Sequence, residues 1–164
     1  MQLPEEGAGE AEWARVMDEE SEIRRNWRLR WLSSIAEFAD LRTQEKMWLD
    51  RNNTNPHWSF VEYMCSYFDD LFLSDLHAER VVRDAWLTQD EFEAIAEFHA
   101  LADAYNSPTD DYDHSSILAD RKWRAVVEAA KIAQSNLLAI LVDDVERNAV
   151  SHVHLKAINE RWQH

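Results

Sequence analysis

Glycine is almost absent. The 164 residues contain two, Gly7 and Gly9, and none from residue 10 onward. Tight β-hairpins draw on Gly or Asn-Gly at positive φ, and no such pair exists here. A phosphate-cradling Gly loop and a Gly-x-Ser-x-Gly nucleophile elbow are excluded for the same reason. Cysteine is reduced to Cys65, so no internal disulfide can form and a reducing cytoplasm is the expected location. The start MQLPEEGAGE is acidic and lacks the basic and apolar stretches of an export signal. No apolar run approaches the 18 residues of a membrane span. Basic residues are also scarce: 17 Lys and Arg stand against 32 Asp and Glu, for a net charge of −15.

That charge is unevenly placed. Residues 1–20 carry net −6, residues 21–51 net +2, residues 52–120 net −13 and residues 121–164 net +2. The middle block has fifteen acids and only Arg80 and Arg83 as bases. Folding needs no such block, and an acidic surface repels nucleic acid. The block points instead to a basic protein partner. Plain solubility would account for acids such as Asp69, Asp70, Asp75, Glu79 and Asp84 as a solvated face.

What is present is apolar and helical. The chain is 46% hydrophobic, with eight Trp, six Phe and four Tyr, enough for one sizeable core. The expectation is an all-α fold, an irregular bundle of five to seven helices over residues 10–164 behind a disordered acidic tail at 1–9. A first helix spans about 10–50, either as one helix or as two with a break near Ser33-Ser34, where Ser34-x-x-Glu37 offers a capping box. Its stripe is Trp13, Val16, Ile23, Trp27, Trp31, Ile35 and Phe38. Asn52 to Pro56 is a loop. Ser59-x-x-Glu62 caps a helix to about Leu73, and Ser74 or Asp75 starts a short one over Leu76, Val81, Val82 and Trp86. Thr88-x-x-Glu91 caps the next, with Phe92, Ile95, Phe98, Ala102 and Tyr105 on one face. After a loop at 106–115 a long helix starts near Ser116, with the stripe Trp123, Val126, Val127, Ala130, Ala133, Leu137, Ile140, Leu141 and Val145. Residues 151–163 form a short last helix anchored by Val153, Ala157 and Trp162. Trp123, Trp27 and Phe98 are expected in the core.

Chemical motifs are weak. No Glu has a His three residues later, as helical di-iron sites require, and His-Glu-x-x-His is absent. His99 and Asp103 share a helix face, which reads as a surface hydrogen bond. His152 and His154 are two apart and would not face one way on a helix. His164 is terminal. The cluster Asp110-Asp111-Tyr112-Asp113-His114 lacks the Gly and distal Glu of a calcium loop. It reads as a solvated loop in which Asp113 or Ser115 caps the following helix. Cys65 sits in an aromatic helix and reads as packing. Arg24, Arg25, Arg28 and Arg30 interleave with Trp27 and Trp31, but the tryptophans fall on the apolar stripe. Arg24 and Arg28 lie on a neighbouring face and read as partners for acids such as Glu20, or the basic cluster neutralises the acidic middle segment inside the fold. No catalytic residue, cofactor or metal is expected.

Three stretches together carry a resemblance: Phe68-Asp69-Asp70-Leu71, Phe98-His99-Ala100-Leu101, and Ile117 through Val127 with Asp120, Arg121 and Trp123. They resemble small acidic all-helical bacterial proteins, some of them thought to act as immunity proteins against toxins. The likeness covers residues 60–133 and rests on packing and capping residues. It implies a helical fold and a non-catalytic role, and transfers no active site. The expected function is a cytoplasmic binding protein whose acidic surface binds or neutralises a basic protein partner such as a toxin. Its contact residues would be Asp69, Asp70, Asp75, Asp84, Asp110, Asp111, Tyr112 and Asp113. The alternative is a helical enzyme or small-molecule binder with an aromatic-lined pocket. The two differ in where the acids go: exposed on one face, or converging in an apolar cleft.

Overall fold

A computed structural model describes residues 8–161, with side chains left undescribed at 75–78 and at the two ends. Every regular element among the described residues is helical. They are α1 (Ala8–Ala39), α2 (Leu41–Trp48), α3 (Phe60–Met64), α4 (Asp75–Arg83), α5 (Gln89–Ala104), α6 (His114–Ala119), α7 (Arg121–Ile140), α8 (Asp144–Ser151) and α9 (Leu155–Arg161). A π-helical turn, Cys65–Asp69, continues α3. Trp162, His164 and the tail lie outside the described residues, as do the side chains of Asp75 and Leu76.

Nine segments replace the expected five to seven because polar caps cut the long stretches. Helix α1 passes through Ser33-Ser34 unbroken and stops at Asp40. There the Asp40 carboxylate accepts from the Thr43 backbone N–H at 3.0 Å and from its hydroxyl at 2.7 Å, starting α2. Ser34 and Glu37 are buried inside α1 instead of capping. Asp120 cuts the last long helix in the same way, accepting from the Lys122 N–H. At Thr88 the expected capping box forms with both bonds: Glu91 N–H to Oγ1 at 3.1 Å, and Thr88 N–H to the Glu91 carboxylate at 2.8 Å. Ser59 and Asp113 cap α3 and α6 as their spacing predicts.

One core joins these helices, with α5 and α1 both laid against α7 and α8 against α1. Trp123 and Phe98 are buried, as expected. Phe38 lies at the centre, with the rings of Tyr63, Tyr67, Phe98 and Trp123 all within 6 Å of its own, mostly edge-on or tilted. Trp123 donates its indole N–H to Gln44 Oε1 at 2.9 Å. The Gln44 amide in turn donates to the Glu37 and Phe38 carbonyls at the end of α1. A fully buried glutamine is thus satisfied on both ends.

Two stripes depart from expectation. Trp13, Val16 and Ile23 are exposed, because among the described residues no other element covers the first half of α1. Trp27 is half-buried at the edge, with its indole donating to the Leu71 carbonyl at 3.2 Å. In the last stripe Ile140 and Val145 face solvent, since α7 ends at Ile140 and the chain turns before α8.

Candidate functional site

The expected contact acids sit at helix ends and on one loop. Asp69 and Asp70 end the π-helical turn and are exposed; Asp84 caps the end of α4 and is exposed. Asp110, Asp111 and Tyr112 form the exposed tip of the 106–113 loop. That loop is braced by its own side chains. The Ser107 hydroxyl donates to Asp111 at 2.7 Å, Thr109 to Asp113 at 2.9 Å, and the Tyr112 N–H to Asp110 at 2.7 Å. Asp113 is half-buried and engaged as the cap of α6, taking the Ser116 N–H and hydroxyl. Those bonds from Ser116 and Thr109 hold its carboxyl below the usual aspartate range.

His114 anchors the loop's far end. Its Nδ1 lies 3.1 Å from the Trp48 carbonyl, and its Nε2 accepts from the Phe60 N–H at 3.4 Å. A carbonyl on one side and a donor on the other assign Nδ1 as the donor and Nε2 as the acceptor.

Glu62 borders one cleft with Glu37, His57 and Asp70, and a second groove with Asp50, Tyr112 and His114. Among the described residues no Lys or Arg pairs with Asp69, Asp110 or Asp111. Asp70 faces Arg30 at 3.7 Å with both side chains about half exposed, and Asp84 faces Arg83 at 3.8 Å. Exposed pairs of that kind contribute little.

The first cleft, of about 720 Å³, has a buried histidine–carboxylate contact on its wall. His57 Nε2 lies 3.0 Å from Glu37 Oε2, joining α1 to the 49–59 loop. His152 and His154 stand at its border with ring centroids 4.2 Å apart. They come together because they lie in the turn between α8 and α9, where the helical spacing argument does not apply. Glu37–His57 was invisible in the sequence, since Glu37 read as half of a capping box, His57 has no motif and twenty positions separate them. The described residues hold no group of three or more His, Cys, Asp or Glu suited to a metal ion.

Cys65 is half-buried on the π-helical turn. Burial, then the nearby carboxylates of Asp69, Glu62 and Asp70, push its thiol pKa up, the reverse of what a nucleophilic thiolate needs. His99 is buried beside Tyr67, 3.1 Å from its hydroxyl, rather than on the surface. Burial holds the Tyr67 phenol well above its ordinary range.

Arg28 is the arginine that the fold uses most. Its guanidinium meets Glu91 in a two-bond fork, at 2.9 and 2.6 Å, and Glu146 at 2.6 Å, and donates to the Trp86 carbonyl at 2.9 Å. It therefore ties α1 to α5 and α8, rather than pairing with Glu20 on its own helix. Burial would raise the Glu91 pKa, but the bonds from Arg28 and Thr88 outweigh it and lower the carboxyl below its usual value.

No protein-family model matches this chain, and neither does any curated protein or solved structure. No helix among the described residues is long and apolar enough to cross a membrane.

Proposed function

We propose that this protein is a non-catalytic binding protein whose acidic surface docks a basic protein partner, of the kind that an immunity protein offers a toxin. The observation that carries the reading is the set of exposed acids around Glu62. Asp69, Asp110 and Asp111 lie in the open without cationic partners among the described residues, while the more buried Glu91 and Glu146 share Arg28. The acids are left for something outside the chain. Tyr112, 69% exposed at the tip between Asp111 and Asp113, adds an aromatic anchor of the type enriched in interfaces. The loop's internal hydrogen bonds fix it before binding, which lowers the ordering cost.

The test is capture from native cytosol at low and high salt, followed by association kinetics with the captured protein. Changing Asp70, Asp110 and Asp111 to Lys together is expected to leave the melting curve nearly unchanged, because exposed charges contribute about 0–1 kcal/mol per pair. The same triple reversal is expected to slow association about tenfold or more and to flatten its salt dependence. A captured partner that is basic, but whose binding ignores both salt and the reversals, would overturn the reading.

A further inference from the structure

Residues 10–26 of α1 are exposed without interruption, a rod about 25 Å long at the helical rise. The rod is not polar all round. Trp13, Met17 and Ile23 are 69%, 62% and 58% exposed, and with Val16 they form one stripe that runs on into half-buried Trp27 and buried Trp31. Two charged residues interrupt the stripe, Glu20 and Arg24, one turn apart on the same face. At the root of the rod lies an apolar groove of about 550 Å³, bordered by Ile23, Trp27, Leu71, Phe72, Val81 and Trp86. Two residues along this groove's edge have left-handed backbones, Phe72 at φ 57° and Ala85 at φ 64°. For an aromatic residue that conformation costs energy, and here it accompanies a Phe72 ring that is 63% exposed.

We infer that this face binds a second copy of the chain, with the two α1 rods antiparallel about a twofold axis. Charge complementarity selects that occupant. In an antiparallel pair Glu20 meets the other copy's Arg24 and Arg24 meets its Glu20, so one contact is made twice and both interruptions of the stripe are neutralised. That alignment sets Met17 at the level of the other copy's Trp27, and Val16 one residue from that level, at the mouth of the groove. A parallel pair would instead set Glu20 against Glu20 and Arg24 against Arg24. An anionic membrane is a poor occupant: residues 8–26 hold six acids and three arginines, so the rod is repelled by acidic headgroups. The acidic surface around Glu62 is not needed for this contact, so the inference stands independently of the proposed function.

Sedimentation equilibrium of the full chain, over about 1–100 µM, tests it. The wild type is expected to approach twice 19.3 kDa. Met17→Glu combined with Ile23→Glu is expected to hold the mass at 19.3 kDa with unchanged helicity and melting, because both side chains are exposed in the single chain. Glu20→Arg and Arg24→Glu are each expected to raise the dimer dissociation constant about tenfold or more. An equimolar mixture of those two variants is expected to recover wild-type affinity, since each supplies the charge that the other has lost. A wild type that stays monomeric across the range overturns the inference. So does a dimer indifferent to both single reversals, a mixture that fails to recover, or a mixture that binds more tightly than wild type, the mark of parallel pairing.

Discussion

Trp123→Ala is expected to lower the folding free energy by about 3–5 kcal/mol and the melting temperature by about 10–15 °C. The side chain is fully buried on α7 and touches rings from four other parts of the chain: Phe38, Trp48, Phe60 and Tyr105, with centroids 5.2–5.9 Å away. Removing it opens a cavity that edge-on rings close poorly, since each is already held by its own neighbours. A second loss adds to the first. Gln44 Oε1 takes its hydrogen bond from the Trp123 indole, and without that donor a buried amide oxygen is left unmatched. Trp123→Phe separates the two effects. It keeps much of the ring volume and removes the donor, and should cost about 1–3 kcal/mol. Urea and thermal melts of both variants check this. An alanine variant that melts like the wild type would mean that α7 presents another face to the core.

Arg28→Met is expected to destabilise the fold by about 3 kcal/mol, the lower end for breaking a buried ionic cluster, because the arginine side chain is still 16% exposed. Methionine retains much of the apolar stem and takes away the charged head, which also lies over the Trp31 ring, 5.7 Å from its centroid. Glu91 and Glu146 then face each other's helices without their shared cation. The pH dependence follows from the lowered Glu91 carboxyl. A group whose folded pKa is depressed stabilises fully above its unfolded value, about 4.3 for glutamate, and loses that contribution as pH falls through the folded value. The gap between wild type and Arg28→Met should therefore be widest near neutrality and should narrow as pH drops below about 4. Chemical denaturation at several pH values measures it. A gap independent of pH would show that Arg28 acts by packing alone.

Much of the local structure is readable along the chain. The capping box at Thr88 and Glu91, the caps at Ser59 and Asp113, and the buried face of α7 from Trp123 to Leu137 all follow from spacing within one or two turns. Such features depend on neighbours a few residues away, so the sequence holds both halves of each interaction. The missing glycines act in the same direction, because they remove the tight turns that sheets need.

Where a local signal was overridden, only the packed structure decided. Ser34-x-x-Glu37 offered a helix start. Burial of Ser34 and Glu37, and the contact of Glu37 with His57, left the break to Asp40. The pairing of Arg28 spans 63 and 118 residues to its two acids, while its own helix offered nearer candidates. Charge alone cannot rank those partners. The ranking comes from which helices α1 lies against.

Composition and spacing by themselves determined that this chain is helical, where most helices begin, and that its acids crowd into residues 52–120. Tertiary structure alone decided which apolar faces are covered. Trp31 and Trp13 belong to the same stripe of one helix, yet one is fully buried and the other is 69% exposed. Periodicity records that a face is apolar. Whether another element reaches it depends on where α5, α7 and α8 end, and they end short of the first half of α1. The same holds for the acids: their number is a property of the sequence, but packing decides which of them meets a cation, setting Arg28 on Glu91 and leaving Asp69, Asp110 and Asp111 without Lys or Arg among the described residues.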